Sequence, residues 1–272
     1  MKNIFLFVVF ICSILISSCT KSSENYQKND TIKEIQVKAN NGDKEAQYNL
    51  GVMYTIGKDV VPNPELAFKW FEKVAIQGDA EAQYNLGIIY TDGEGVVEPN
   101  IEKALYWYTK SADLGNKEAQ NNLGNLYRNG SVNGIKDYKK AFELYNKSAT
   151  QGYILANVNL ADMYLNGYGV ERNSQKAYEL YKASAEQGDV DAQFILAGMY
   201  ESGNEIEKNL TEAVKWYTKA AEQGDSQAQL NLGKMYQEGS GVKKDDENAI
   251  MWFKRSAQLG NNEAQSIIDK NF

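Results

Sequence analysis

Histidine is missing from all 272 residues of the chain. Its absence excludes Ser-His-Asp and Cys-His catalysis, histidine-ligated zinc and a histidine proton switch. Cysteine is nearly as rare. The 2 present, Cys12 and Cys19, both lie close to the N-terminus, so no disulfide framework staples the body. Basic charge is in deficit, with 29 Lys and Arg against 36 Asp and Glu and a formal net charge of −7. That balance argues against sequence-independent binding to nucleic acid, which needs a basic face to displace counterions. The apolar run Ile4 to Ile16 has 13 residues, too few to cross a bilayer as a helix, which needs about 20. No P-loop, dinucleotide fingerprint or calcium loop occurs. What is left, 43% hydrophobic and 24% charged residues, is the composition of a globular protein.

The N-terminus reads as an address. Lys2 precedes the apolar run, and the run has the length of a secretory signal h-region followed by small residues. It ends in Ile16-Ser17-Ser18-Cys19, which resembles the lipobox of bacterial lipoproteins. The resemblance implies cleavage before Cys19 and acylation of that cysteine; an ordinary signal peptide with a chance cysteine is the alternative. The polar tract Thr20 to Asp30 reads as a flexible tether. The expected localisation is that of an exported lipoprotein touching the membrane through its N-terminal lipid only. Thr20 stands where an inner-membrane retention signal would place Asp, so a Gram-negative host implies the outer membrane, facing the periplasm. Any other host implies a lipid anchor at the cell surface.

The body repeats one unit. Gly42, Gly78, Gly115, Gly152, Gly188, Gly224 and Gly260 follow one another at intervals of 36 or 37 residues. A second glycine comes 15 residues after each of the first six, at Gly57, Gly93, Gly130, Gly167, Gly203 and Gly239. Asn63, Asn100, Asp137, Asn173, Asn209 and Asp245 follow, each 15 residues ahead of the next glycine of the first set. Each 15-residue interval reads as a helix of about four turns closed by a glycine able to take the left-handed conformation. The first, or A, helix is capped by Asp43, Asp79, Asn116, Asp189, Asp225 or Asn261, with Tyr153 the poorly capped exception. The second, or B, helix starts after the Asn or Asp, as at Asn63-Pro64.

Inside the A helix the pattern is A-Q-x-x-L-G-x-x-Y, as in Ala46-Gln47, Leu50-Gly51 and Tyr54. Ala, Leu and Tyr at steps of four form one apolar stripe, and the small residue admits a close neighbour. The B helix carries a small residue and then a pair such as Trp70-Phe71, Trp107-Tyr108 or Leu144-Tyr145. Such recurrence marks packing positions rather than a cofactor box. The fold class is therefore all-α, an α-solenoid of six helix-turn-helix repeats of 36–37 residues with half-repeat caps. Residues 1–18 form the signal, 19–29 the linker, 30–42 an N-terminal capping helix and 261–272 a C-terminal one. The repeats occupy 43–78, 79–115, 116–152, 153–188, 189–224 and 225–260.

With the G-x-G-V loops at Gly93-Glu94-Gly95-Val96, Gly167-Tyr168-Gly169-Val170 and Gly239-Ser240-Gly241-Val242, this pattern resembles the Sel-one-like repeats, a branch of the tetratricopeptide-type solenoids. The third repeat's loop, Ser131 to Ile135, and Asn157 in place of Gln depart from it. The resemblance implies that the A helices line a concave binding face. Positions one before the motif alanine, and then 3, 7 and 10 further on, share a helical stripe beside the buried one. The candidate partner-binding residues on it are Glu45, Tyr48, Val52, Glu81, Tyr84, Ile88, Asn121, Asn125, Arg128, Asp162, Asp191, Phe194 and Lys234. Asn49, Asn85, Asn122, Asn159 and Asn231 form a ladder able to bond a partner's backbone, or are simply the repeat's usual residue. Acidic side chains outnumber Arg128 and Lys234 on the stripe, so the expected partner is a protein of basic or mixed charge, bound by a monomer without a cofactor.

Three functional readings stay open: a surface-tethered scaffold or adaptor, an inhibitor or immunity-type lipoprotein that blocks a secreted enzyme, and a β-lactam-binding or hydrolysing protein. The last comes from cysteine-rich relatives of the repeat family. Ser240-Gly241-Val242-Lys243 matches one motif of serine penicillin-recognising enzymes, but it lies in a repeat loop and the other two motifs are missing. The chain reads as a non-enzyme.

Overall fold

The computed structural model describes residues 32–271, apart from 94 and 132. The signal, Cys19, the tether and Phe272 lie outside the described residues. Within them every regular element is an α-helix. The N-terminal cap is α1 (Ile32–Asn40), and the C-terminal cap is α14 (Asn262–Asn271). Between them the A helices are α2 (Lys44–Ile56), α4 (Ala80–Asp92), α6 (Lys117–Asn129), α8 (Ile154–Asn166), α10 (Val190–Ser202) and α12 (Ser226–Glu238). Their B partners are α3 (Pro64–Ile76), α5 (Ile101–Asp113), α7 (Tyr138–Thr150), α9 (Ser174–Glu186), α11 (Leu210–Glu222) and α13 (Asp246–Gln258). All twelve full helices have 13 residues. Each spans a little less than the 15-residue interval because caps and turns consume its ends.

Local chemistry sets those ends. Asp43 accepts a hydrogen bond from the Ala46 N–H at 2.7 Å, and Asn63 accepts from Leu66 at 2.9 Å. Equivalent side-chain caps recur on every full helix but α8, where Tyr153 supplies none. An A helix stops when its glycine turns left-handed; at Gly57 (φ 74°) the N–H still reaches the Met53 carbonyl at 2.9 Å. A B helix ends one residue before its glycine, with Gln77 between Ile76 and Gly78. Gly78 (φ 82°) is followed at once by Asp79, which bonds back to Val74 while capping α4.

The chain divides into two compact units, with the boundary inside α6: the first runs to Leu126 and takes in Ser131–Gly134, the second holds Tyr127–Gly130 and everything from Ile135. In the first, Ile35 and Ala39 of α1 pack with Ala46, Leu50 and Met53 of α2. In the second, the largest cluster joins Ala161, Tyr181, Leu196, Trp216, Tyr217, Leu232 and Trp252 from successive helices. Both units pack by one rule. The B-helix aromatic lies over the small residue of its own A helix. A Cβ added to Gly87 would stand 2.4 Å from the Tyr108 ring, and one added to Gly51 would stand 2.7 Å from Phe71. The motif glycine is what lets the ring sink to the A-helix backbone, and burying such a ring contributes roughly 1.5–3 kcal/mol.

The motif glutamine ties one helix to the previous one. Gln47, Gln83, Gln193 and Gln229 are buried, and each donates from Nε2 to a carbonyl eight residues earlier, on Ala39, Ala75, Ala185 or Ala221, at 2.9–3.1 Å. Those carbonyls belong to the last turn of the preceding helix, where they also accept from the N–H of the turn glycine at 3.0–3.1 Å and keep a lone pair for the side chain. The side chain therefore caps one helix from inside the next.

Candidate interaction surface

The A helices present a surface narrower than the sequence stripe and rotated from it. Glu45 and Asp191 are exposed. Ile88, Asn125, Arg128, Asp162, Phe194 and Lys234 are half-buried. Tyr48, Tyr84, Val52 and Asn121 are buried, with 9%, 4%, 9% and 3% of their surface left. The expectation that Tyr48, Val52, Tyr84 and Asn121 stand open to a partner is thus corrected. The Tyr48 ring packs 5.8 Å from Phe71 and the Tyr84 ring 6.1 Å from Tyr108, so both are core aromatics. Geometry explains the error. At about 100° per residue, the position two after the motif alanine lies some 60° off the centre of the open face. There it meets the neighbouring helix. Positions −1, +3, +6 and +10 relative to the alanine form the true centre.

The asparagine ladder at +3 is largely engaged within the protein. Asn85 donates to the Tyr48 hydroxyl at 3.5 Å and Asn122 to the Tyr108 hydroxyl at 3.4 Å. Asn159 accepts from Arg128 at 3.1 Å, and Asn231 accepts from Gln227 at 3.2 Å. Sequence reasoning also missed the reach of the B-helix tyrosines. In the second unit, Tyr181 donates to Asp162, whose other oxygen meets Arg128 at 3.3 Å, and Tyr217 donates to Glu201 at 2.7 Å. Burial raises the Tyr145 phenol to about 12, opposed by Arg128 beside it. Burial, and next the bond to Asp162, raise Tyr181; burial and the bond to Glu201 do the same for Tyr217. Tyr181 and Tyr217 thus donate as neutral phenols, while Tyr145 accepts from Arg128. The readable signal was the alternation at one repeat position, with Phe at 71 and 253 and Tyr at 108, 145, 181 and 217.

In the first unit, Glu81 is raised to about 7, first by burial and then by Glu118 and Asp79, while Asn116 donates to it at 3.0 Å. Lys234 is engaged by Glu263 at 2.6 Å. Among the described residues no three of His, Cys, Asp and Glu gather as metal ligands, and no helix is long and apolar enough to cross a membrane. An open depression of about 420 Å³ is lined by α13 residues alone, including Glu247, Ile250 and Lys254. None of these places pairs a nucleophile with a base.

Antiparallel helical hairpins stacked in register, with a varied face on an invariant core, define a helical-repeat scaffold. The chain belongs to the Sel1 repeat family: six Sel1 repeats match residues 44–79, 80–116, 117–153, 154–189, 190–225 and 226–261. The family is a protein-interaction scaffold fold and is generally non-catalytic. Among solved structures, the chain is similar to c5321, a protective antigen present in uropathogenic Escherichia coli strains, at 36% identity and a TM-score of 0.80. That match covers 87% of this chain, which spans half (50%) of c5321. A Sel1 repeat protein from Oxalobacter formigenes matches at 29% identity and a TM-score of 0.76 over 87% of this chain and 95% of that one. The immunity protein PA5088 from Pseudomonas aeruginosa, at 20% identity and a TM-score of 0.50 over 85% and 88% of the two chains, shares the fold. A search of curated proteins returns no match.

Proposed function

We propose that this protein is an exported, Cys19-acylated envelope protein that binds another protein through the open face of its A helices. The observation that carries the reading is a contrast within each repeat. The alanine, leucine and small positions stay nearly constant and buried, whereas −1, +6 and +10, the buried Val52 apart, are at least half open and vary in charge and size. A solenoid conserves what packs and is free to vary what it presents. An inhibitor or immunity role is the case in which that partner is one secreted enzyme.

The test is affinity capture from native envelope extract with the full chain in detergent, beside an Ile88→Arg, Asp191→Lys variant. Both substitutions lie on the open face, so the variant keeps its fold. One protein lost only on the variant bait is the expected result, and equal recovery on both baits places the partner elsewhere. Palmitate labelling that survives Cys19→Ala would sink the anchor.

A further inference from the structure

Gly198 is the one open-face glycine among six equivalent A-helix positions, which otherwise hold Val52, Ile88, Asn125, Asp162 and Lys234. Glycine inside a helix costs about 1 kcal/mol against alanine. At Gly51, Gly87 and Gly233 packing demands that cost, since a Cβ would strike an aromatic ring at 2.7, 2.4 and 2.6 Å. Gly198 has no such reason. A Cβ there meets only the Tyr217 hydroxyl, at an ordinary 3.6 Å. The glycine therefore leaves a notch that the protein itself does not fill.

The surroundings of the notch break the repeat in the same direction. Ile195 replaces the ladder asparagine found at this position in the other five repeats, and Leu155, 38% exposed, replaces the acidic or amide residue of the other −1 positions. Val158, Phe194 and Ile195 lie half-buried on the same core cluster. Leu155 and Ile195 thus put an apolar side chain where the other repeats carry a polar one. Charge frames the patch along α10, where Asp191, Ile195, Gly198 and Glu201 follow at helical steps that share one face. Asp191 is exposed, and Glu201 accepts from the Tyr217 hydroxyl at 2.7 Å. Two cations on the A helices of the same unit are paired within it, Arg128 with Asp162 and Lys234 with Glu263.

We propose that the Gly198 notch receives an apolar side chain from a partner-protein segment carrying a basic residue on either side, the two cations meeting Asp191 and Glu201. The proposal rests on the open-face reading above and names the chemistry of that partner. Asp191 and Glu201 are ten residues apart on one helix, about 15 Å at 1.5 Å per residue. An extended segment spans that distance in four or five residues at about 3.3 Å each. Lys or Arg, then a central Leu, Ile, Phe or Met, then Lys or Arg is the sequence form that fits.

The experiment is selection of a random-peptide phage library on the full chain in detergent, followed by titration of the enriched peptide, made synthetically, against three variants. Gly198→Leu fills the notch from a position with room for its Cβ and a gain in helix propensity, so it folds. Ile195→Asn restores the ladder residue, and Ile88→Arg changes the open face in the other unit. Peptides with an apolar residue between two cations are expected, weakened about tenfold by Gly198→Leu and by Ile195→Asn, the loss of a hot-spot contact. Enrichment of acidic or purely polar peptides overturns the proposal, as does binding indifferent to Gly198→Leu. If Ile88→Arg alone abolishes binding, the notch is wrong and the open-face reading stands; indifference to all three variants sinks both. Self-association of the chain that Gly198→Leu abolishes would assign the notch to a second copy instead.

Discussion

Two buried glutamine oxygens show how far a single side chain is specified by a partner 30 residues away. In the first repeat, Gln77 at the end of α3 donates to the Oε1 of Gln47 at 2.9 Å, and in the fifth, Gln223 donates to Gln193 at 2.8 Å. The same oxygen on Gln83 and on Gln229 has no partner. In those two repeats the helix-end residue is Leu114 or Leu259, each 57% exposed. A buried acceptor without a donor costs about 1–3 kcal/mol, and an exposed leucine contributes little packing. Leu114→Gln and Leu259→Gln are therefore expected to stabilise the protein by about 1 kcal/mol each, read as a higher urea midpoint at unchanged m-value. Destabilisation by both would show that water already serves these oxygens. The recurrence of the glutamine was plain in the sequence, but its work was not. A motif gives spacing along the chain, whereas the bond runs to a carbonyl in the last turn of the previous helix.

Elements were the most legible part of the molecule, because caps and glycine stops act on residues one to four positions away. The asparagine and aspartate caps, the left-handed glycines and the uncapped start of α8 all lie where the sequence places them. The stripe failed at Tyr48 and Tyr84 for a different reason. Periodicity gives the direction of a side chain but not the number of helices packed around it, and an A helix is enclosed on most of its circumference. The G-x-G-V loop was legible as a motif without a cause. Its second glycine proves to seat the loop on the first turn of the preceding repeat's B helix. A Cβ on Gly169 would stand 2.4 Å from the Tyr138 carbonyl oxygen, and one on Gly241 would stand 2.3 Å from that of Leu210, whereas one on Gly95 meets nothing within 4 Å. All three have positive φ, at 69°, 72° and 74°. Gly95→Ala should then cost only the left-handed penalty of about 1–2 kcal/mol. Gly169→Ala and Gly241→Ala should cost that plus a backbone clash, so their melting temperatures should fall well below that of Gly95→Ala. Equal losses at the three sites would mean that φ alone explains the glycines.

At the scale of the whole molecule, a repeat array makes energetics local, since each hairpin touches chiefly its neighbours. Repeat number and caps were readable for that reason: a unit that packs on its copies must repeat its core in sequence. The identity of a partner was not, because an open face carries no packing constraint and its chemistry shows only where it breaks the repeat, as at Leu155, Ile195 and Gly198. Locality is itself measurable. Leu160 of α8 is 4% exposed and packs with Ala141, Tyr145 and Met163. Leu160→Ala removes buried methyl groups and leaves a cavity, at about 2–5 kcal/mol. In a molecule stabilised by nearest-neighbour interfaces, that loss lowers the opening free energy of α7, α8 and α9 first. Amide hydrogen exchange should accelerate most there and least in α12 and α13, two repeats toward the C-terminus in the same unit. Acceleration by one common factor from α7 to α13 would instead show a unit that opens as a single block, and the nearest-neighbour account of its stability would fall.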